Sequence, residues 1–288
     1  MSNFKKLTAL LLALLLLLSL TACGDEDGRP VIAVSIPPEA DFVRAVAGEE
    51  FRVVTMVPPG YSPEAYEPTV RAMMDFADAE IFFSIGVPVE TTALLPALDD
   101  GTRHVSLAAA ARTQYADLMI GEERDPHIWL SPSRVALMIE AIVTALSERA
   151  PENATLYRQN ADAYLASLSA ADAAVRAALS ASDVSEFIVY HPAFGYLAEE
   201  YGLTMHALEE HGGEVTPGRL AEMVDLARDR GIKVIFYQAE TDSREAEAFA
   251  EEIGGRAVML SPLSENYIEN LTVMAEAIAT AAGEESAP

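Results

Sequence analysis

The sequence has almost no cysteine, since Cys23 is the only one among 288 residues. Disulfides, zinc sites built from thiolates and cysteine nucleophiles all require thiols in the folded domain. Cys23 directly follows an apolar N-terminal segment and is itself expected to be modified. We therefore expect none of these three chemistries in this protein.

Basic residues are also scarce. The chain has 19 Lys and Arg against 45 Asp and Glu, which gives a formal net charge of −26. A surface this negative repels phosphate backbones, so nucleic acid is not an expected partner. The charge favours cationic ligands, although a solvated acidic surface that aids solubility is the more common explanation of such a composition.

Familiar catalytic patterns are missing as well. The sequence contains no HExxH, GxSxG, GxGxxG or P-loop pattern. The sequence contains Ser, His and Asp, but nothing in their arrangement indicates a catalytic triad. On these patterns we do not expect an enzyme.

The N-terminus has the features of a bacterial export signal. Lys5 and Lys6 precede the apolar run LTALLLALLLLLSLTA, which is too short, and too close to small residues, for a membrane span. The tetrapeptide LTAC, which ends at Cys23, matches a lipobox, although a plain secretory signal with an incidental cysteine is the alternative. We predict a signal peptide over 1–22 and a lipidated tether over 23–30. The protein is then anchored to the membrane through Cys23, on its extracytoplasmic face.

Short apolar runs recur with helical stretches between them, which is typical of parallel α/β units. They fall into two sets of four, separated by a long region without strand signals. We predict an α/β protein with two similar lobes, 31–150 and 183–288, each a four-stranded, mainly parallel sheet flanked by helices. The runs are VIAVSI, FRVVTMV, AEIFFSIG and RHVSL in the first lobe, and SEFIVY, LTMHAL, IKVIFY and RAVML in the second.

One long helix is predicted between the lobes, over 151–182. This stretch starts with Pro151 and has no glycine and no internal proline. About 29 helical residues would span roughly 43 Å, enough to join both lobes as a rigid spine. The apolar positions at helical spacing are Tyr157, Ala161, Tyr164, Leu168, Ala171, Val175 and Leu179.

Ligands of parallel α/β sheets bind beyond the carboxyl ends of the strands, so polar residues in the loops there are the candidates. His127 and His191 lie in such loops, each next to a proline that stiffens the backbone. Either residue could instead be a hydrogen-bonded structural histidine. His104 and His206 lie in strand-like runs and are expected to pack or face solvent, and His211 is expected in a glycine-rich loop.

Six segments together resemble one family. The sequence from about Ile32 to Ala282 resembles the zinc- and manganese-binding solute-binding lipoproteins of ABC importers, the ZnuA-like or cluster A-I family. The resemblance implies two four-stranded α/β lobes joined by a long rigid helix, and an ABC permease as partner. The segments are GYSPEAYEPT, DPHIWLSP, YHPAFGYLAEEYGL, EVTPGRL, IFYQAETDSREAEAFAEEIG and MLSPL.

The resemblance also implies a metal site of three histidines and one carboxylate, with two departures. His127 and His191 match two of the histidines, but Glu64 stands in the place of the first histidine. Ser261 stands where the family usually has aspartate. A fourth ligand is then expected from Glu240, from Ser261 through water, or from solvent, with Glu240 preferred.

Glu67 is predicted to have a different role from Glu64, three residues earlier. It immediately precedes Pro68, and proline is favoured at the first helical position. We therefore predict that Glu67 caps the next helix or supports a metal ligand from behind.

The predicted function is capture of a divalent transition metal between two lobes and its delivery to a permease by a monomeric receptor. Zinc is the first candidate, and the oxygen ligands keep manganese and iron(II) possible. The segment 108–126 lacks the histidine-rich loop of many zinc importers. The alternatives are a secreted metalloenzyme with an open two-His, one-Glu zinc site, and a related receptor for another solute.

Overall fold

The computed structural model describes residues 28–210 and 215–283. The predicted signal peptide, Cys23 and His211 lie outside the described residues. Within the described ranges, no helix has both the length and the apolar character needed to cross a membrane.

The N-terminal lobe is a parallel four-stranded sheet with the strand order β2-β1-β3-β4. The two central strands, VIAV and AEIFFS, are almost entirely buried, as expected for a sheet covered on both faces. Its elements are β1 (Val31–Val34), α1 (Pro37–Ala47), β2 (Arg52–Thr55), α2 (Val70–Ala77), β3 (Ala79–Ser84), a π-turn (Glu90–Leu94), a 3-10 turn (Leu95–Ala97), β4 (Arg103–Ser106) and α3 (Leu107–Ala111).

A small antiparallel hairpin, not predicted from the sequence, follows this sheet. It pairs β5 (Met119–Ile120) with β6 (Glu123–Arg124). Gly121 begins the two-residue connection with a φ of 61°, which glycine adopts without steric cost. Its strands are too short to show an alternating pattern. The chain then passes through a 3-10 turn (Ile128–Leu130) into α4 (Pro132–Arg149).

The predicted spine is confirmed as α5 (Ala154–Ala181), which follows a 3-10 turn (Pro151–Asn153). Its 28 residues span about 42 Å. Near its start, the Tyr157 hydroxyl donates to the carboxylate of Glu50 in the first lobe at 2.6 Å. Near its end, the guanidinium of Arg176 donates to the carboxylate of Glu200 in the second lobe at 2.6 Å. The helix is therefore fastened to both lobes.

The C-terminal lobe is a second parallel four-stranded sheet, with the order β10-β9-β7-β8. This confirms the predicted architecture, while the lobe boundaries at 31–150 and 183–288 remain predictions. The final helix of the lobe packs against α5. Its elements are β7 (Glu186–Val189), α6 (Gly195–Tyr201), β8 (Thr204–Ala207), α7 (Pro217–Arg230), β9 (Val234–Gln238), α8 (Ser243–Glu252), β10 (Arg256–Leu260) and α9 (Tyr267–Gly283).

Two buried glutamates accept hydrogen bonds from backbone N–H groups just after strands β1 and β3 of the first sheet. Glu39 accepts hydrogen bonds from the two backbone N–H groups that follow β1, at 2.9 and 3.0 Å. Glu90 accepts the two N–H groups that follow β3, both at 2.8 Å, and the Ser35 hydroxyl at 2.7 Å. Burial and the nearby charge of Glu90 raise the pKa of Glu39 well above its ordinary value.

Candidate metal site

Three side chains that were candidates from the sequence meet between the lobes. One potential ligand atom from each of Glu64, His127 and His191 lies within 4.8 Å of the other two. Oε1 of Glu64 is 3.1 Å from Nε2 of His191 and 3.6 Å from Nε2 of His127. Both imidazoles thus present the same type of nitrogen to a single carboxylate oxygen.

Glu64 reaches this point from the loop between β2 and α2. Pro63, immediately before it, is buried, and its carbonyl accepts the backbone N–H of Val89 at 3.2 Å. The ring of Tyr61 packs edge-on against that of Tyr66 at 5.2 Å. These contacts fix the loop at both sides of Glu64, whose side chain keeps 32% of its surface exposed.

Asp125 orients the ring of His127. Its Oδ1 accepts from the backbone N–H of His127 at 2.9 Å and lies 2.8 Å from the ring Nδ1. A buried carboxylate can only accept a hydrogen bond, so the ring proton of His127 lies on Nδ1, next to Asp125. The other ring nitrogen, Nε2, faces Glu64.

Glu209 plays the same part for His191. His191 follows β7 and Glu209 follows β8, and the two strands are parallel neighbours. The pairing continues past the strand ends, since the N–H of Glu209 donates to the carbonyl of Tyr190 at 2.9 Å. Oε2 of Glu209 then lies 2.5 Å from Nδ1 of His191. Two carboxylate–imidazole pairs therefore point their Nε2 atoms at Glu64.

These contacts perturb two protonation equilibria in the metal-free site. Burial opposes the charged form of His191, but its hydrogen bonds to Glu209 and Glu64 raise its pKa to about 9. Burial likewise opposes the charged form of Glu64, but the hydrogen bond and charge of His191 hold its pKa below its ordinary value. A proton on His191 thus occupies the place between nitrogen and oxygen that a metal cation would take.

The spacing suits a small divalent cation. Tetrahedral zinc with bonds of about 2.1 Å places its ligand atoms about 3.4 Å apart. The two oxygen-to-nitrogen distances, 3.1 and 3.6 Å, lie on either side of that value. Two imidazole nitrogens and one carboxylate oxygen are also a ligand set that zinc accepts. Two of the three pairs of ligand atoms therefore already have about the spacing that the ion requires.

Glu240, the preferred fourth ligand, is not brought into this cluster. It follows β9 and lines a different cavity of about 960 Å³ together with Tyr61, Tyr66 and Glu67. Its Oε2 is buried without a hydrogen-bond partner, and burial raises its pKa. The expectation failed because a position after a strand does not determine which cavity the side chain faces.

Ser261 follows β10, the edge strand, as expected. Its carbonyl accepts hydrogen bonds from the side chain of Asn270 at 2.7 Å and from the backbone of Ser264 at 3.2 Å. A role for its hydroxyl as a direct or water-mediated ligand stays a prediction.

The expected cap role of Glu67 is wrong. The helix α2 begins at Val70, and its N-cap is Thr69, whose hydroxyl accepts the backbone N–H of Ala72 at 3.2 Å. Pro68 therefore lies before the helix rather than in its first turn. Glu67 is exposed and lines the same cavity as Glu240. A supporting role for Glu67 behind a metal ligand stays a prediction.

The two strand histidines pack away from the cluster. His104 hydrogen-bonds through Nε2 to the Ser84 hydroxyl at 2.7 Å and stacks on Phe82. His206 pairs with Glu186 at 2.8 Å. Sequence reasoning missed Asp125 and Glu209, although Asp125 precedes His127 by two residues and Glu209 comes shortly after a predicted strand.

Comparisons with known proteins support the two-lobed architecture. A family model described as "ZnuA: Zinc-uptake complex component A periplasmic" matches residues 32–281. The "Zinc-binding lipoprotein AdcA" of Streptococcus pneumoniae is 31% identical over 91% of this chain, which spans only 58% of AdcA. The "High-affinity zinc uptake system protein ZnuA" of Bacillus subtilis is 27% identical over 90% of this chain and 89% of its own length. A crystal structure of ZnuA aligns with a TM-score of 0.82 and 30% identity, over 88% of this chain and 98% of that chain.

Proposed function

This chain belongs to the ZnuA family of periplasmic zinc-uptake components, and from that membership we propose that it captures a divalent metal for import. Zinc is the expected cargo, with manganese or iron(II) as weaker candidates. The observation that supports this function most directly is the convergence of Glu64, His127 and His191 within 4.8 Å. The metal passes from this receptor to the permease of an ABC importer.

The binding chemistry follows from the three side chains. The Nε2 lone pairs of His127 and His191 and the carboxylate of Glu64 bind the metal, and among the residues that the structure describes this leaves a fourth position for a ligand from solution. Two nitrogens with one oxygen favour zinc over manganese, since imidazole suits zinc and carboxylate oxygen suits manganese. Relative to a site with three imidazoles, Glu64 adds one negative charge and lowers this preference.

The receptor works outside the cytoplasm, as a monomer held at the membrane by lipid on Cys23. The apolar segment before Cys23 and the LTAC tetrapeptide support this placement. Mass spectrometry of the mature N-terminus, from cells that process lipoproteins, would find a diacylated Cys23. An unmodified residue 23 would contradict the anchor.

A receptor role is preferred to an enzymatic one. Hydrolysis at an open zinc position needs a general base next to the bound water. Glu240, the further acidic residue that the sequence placed near the metal, lines a separate cavity. Hydrolytic turnover that a chelator abolishes would argue against the receptor role.

Calorimetric titration of the metal-free protein with Zn²⁺, Mn²⁺ and Fe²⁺ tests the proposed function. We expect one site per chain with zinc bound most tightly, and strong losses of affinity in Glu64→Ala and His191→Ala. His206→Ala is the matched control because His206 pairs with Glu186 away from the cluster. Unchanged zinc binding in the first two variants would refute the site.

A further inference from the structure

A second cavity opens directly beside the metal-binding side chains. It has a volume of about 550 Å³, and Glu64 and His191 form part of its wall. The wall also includes Glu123 and Arg124 of β6 and Gly86 after β3. Pockets for small organic ligands usually measure about 300–1,000 Å³, so this space exceeds the needs of a bare ion.

Arg124 stands out in a chain with 45 acidic and 19 basic residues. Among the described residues its guanidinium has no ion pair with a carboxylate, and it donates instead to the backbone carbonyls of Gly86 and Asp125. Most other described arginines pair with Asp or Glu, as Arg112 does with Asp117 at 3.3 Å. Two hydrogen bonds leave further N–H donors of the Arg124 fork free for a ligand.

The position of Arg124 depends on glycine at residue 86. A Cβ atom at Gly86 would lie 1.9 Å from a terminal nitrogen of the guanidinium, and the φ of 96° there also favours glycine. The loop after β3 is thus shaped for close approach of Arg124. A planar guanidinium with free donors binds carboxylates in a two-point geometry.

Among the described residues, the cluster supplies one ligand fewer than tetrahedral zinc needs. Three side chains leave the fourth tetrahedral position open, and Glu240 lines another cavity. A small molecule that fills this position and extends into the cavity can bring a carboxylate to Arg124. The carboxylates of Glu64, Glu209 and Asp125 already surround the site, so a ligand with a single carboxylate fits better than a polyanion.

We propose that the protein captures its metal together with a small α-amino carboxylate, which completes the coordination and pairs with Arg124. The amine of the amino acid releases its proton to solvent and its nitrogen lone pair then binds the metal, while its carboxylate accepts hydrogen bonds from the guanidinium. This inference rests on the proposed function, because the metal must first bind Glu64, His127 and His191.

The test titrates L-histidine into the zinc-loaded protein and into the metal-free protein, with native mass spectrometry to detect the ternary complex. Histamine is the matched ligand, since it has the same amine and imidazole but no carboxylate. We expect L-histidine to bind the zinc-loaded form alone, with an affinity about 10- to 100-fold above that of histamine. In Arg124→Gln this difference disappears, whereas Arg112→Gln keeps it.

Three outcomes would overturn the inference. The first is that L-histidine removes zinc and no ternary complex forms. The second is that L-histidine and histamine bind wild type equally, and the third is that Arg124→Gln keeps the full difference. In each case zinc alone still binds, so the proposed function survives. Failure to bind zinc without any amino acid would instead refute the proposed function and this inference with it.

Discussion

The imidazole of His191 is held between two carboxylates from different lobes. Its Nδ1 lies 2.5 Å from Oε2 of Glu209, and its Nε2 lies 3.1 Å from Oε1 of Glu64. Burial alone would lower the pKa of His191, but these two hydrogen bonds raise it to about 9. Near neutral pH the metal-free ring is therefore a cation, and metal must displace the proton on Nε2.

Metal affinity is expected to rise with pH until the pKa of His191, about 9, is passed. At a pH below this pKa, each metal that binds releases about one proton from the His191 ring. The Kd for metal therefore falls about tenfold for each unit by which the pH rises. Calorimetry in two buffers of different ionisation enthalpy measures that proton release. His206→Gln should leave the slope unchanged, and binding that is independent of pH would contradict the assignment of His191.

Glu209→Gln should weaken metal binding most clearly at high pH. The change removes one of the two carboxylates that raise the pKa of His191. Protons then compete less with the metal for Nε2 near neutral pH, and this partly offsets the loss of metal affinity there. Above the pKa of the wild-type ring the full cost appears, about 10- to 100-fold, because the ligand loses its carboxylate partner. Zinc competition with a chromogenic chelator measures this cost.

Glu210→Gln is the control for Glu209→Gln, because Glu210 is adjacent in sequence and pairs with Arg219 on the surface. If both variants lose zinc affinity equally, the loss comes from the removal of one negative charge near the site and not from the contact between Glu209 and His191. A loss that does not depend on pH would show that Glu209 acts only as a structural contact.

Much of the fold could be predicted because its signals are local in the sequence. The buried strands β1 and β3 are continuous apolar runs, and the spine shows helical spacing from Tyr157 to Leu179. His127 and His191 were found because both lie beside proline in loops after strands, and the resemblance added Glu64. Each of these signals needs only residues that are close in the chain.

The supporting carboxylates and the fourth ligand depend on contacts that are remote in sequence. Glu209 reaches His191 only because β8 pairs with β7, and Glu240 misses the cluster because its turn faces another cavity. The cap was assigned to Glu67 from Pro68 alone, although Thr69 is the better capping residue. The positions of Glu209 and Glu240 thus depend on strand order and side-chain direction, which the sequence pattern does not give.

Glu64→Gln and Glu240→Gln should separate the two acidic candidates. An amide oxygen is a poor ligand for zinc, so Glu64→Gln is expected to cost at least about 100-fold in affinity. Glu240→Gln should change the affinity little, because Glu240 lines a different cavity. Direct zinc titration compares them, and a reversed order would restore Glu240 as the ligand.

Glu64→His tests what the unusual carboxylate does for metal choice. The variant has three imidazoles, which zinc accepts, but it loses the oxygen that manganese prefers. We expect zinc binding to persist while manganese binding weakens. Parallel titrations with both ions give the ratio of affinities, and a ratio that does not change would show that Glu64 does not influence selectivity.

Glu39→Gln should change how stability depends on pH. Burial and the charge of Glu90 raise the pKa of Glu39 in the folded state. The folded protein therefore holds this proton more tightly than the unfolded chain, so stability falls as pH rises above about 4.5. The amide oxygen can still accept the N–H groups after β1 without a charge. Urea unfolding from about pH 5 to about pH 8 should show a flatter profile.

Glu49→Gln is the control for Glu39→Gln. It removes a carboxylate from the same lobe, but one whose side chain is 98% exposed and pairs with Arg29. We expect its pH profile to match wild type. If Glu39→Gln keeps the wild-type slope, the buried carboxyl of Glu39 is not the group that titrates.

Gly195→Ala should weaken metal binding from a position that touches no metal ligand directly. A Cβ atom at Gly195 would lie 2.8 Å from Oδ2 of Asp125, the carboxylate that orients His127. Since Asp125 is buried, its carboxylate must move, and we expect about tenfold lower zinc affinity. Gly218→Ala is the control, because a Cβ there meets no atom within 4 Å. Equal zinc affinity in both variants, measured by competition titration, would mean that Asp125 does not position His127.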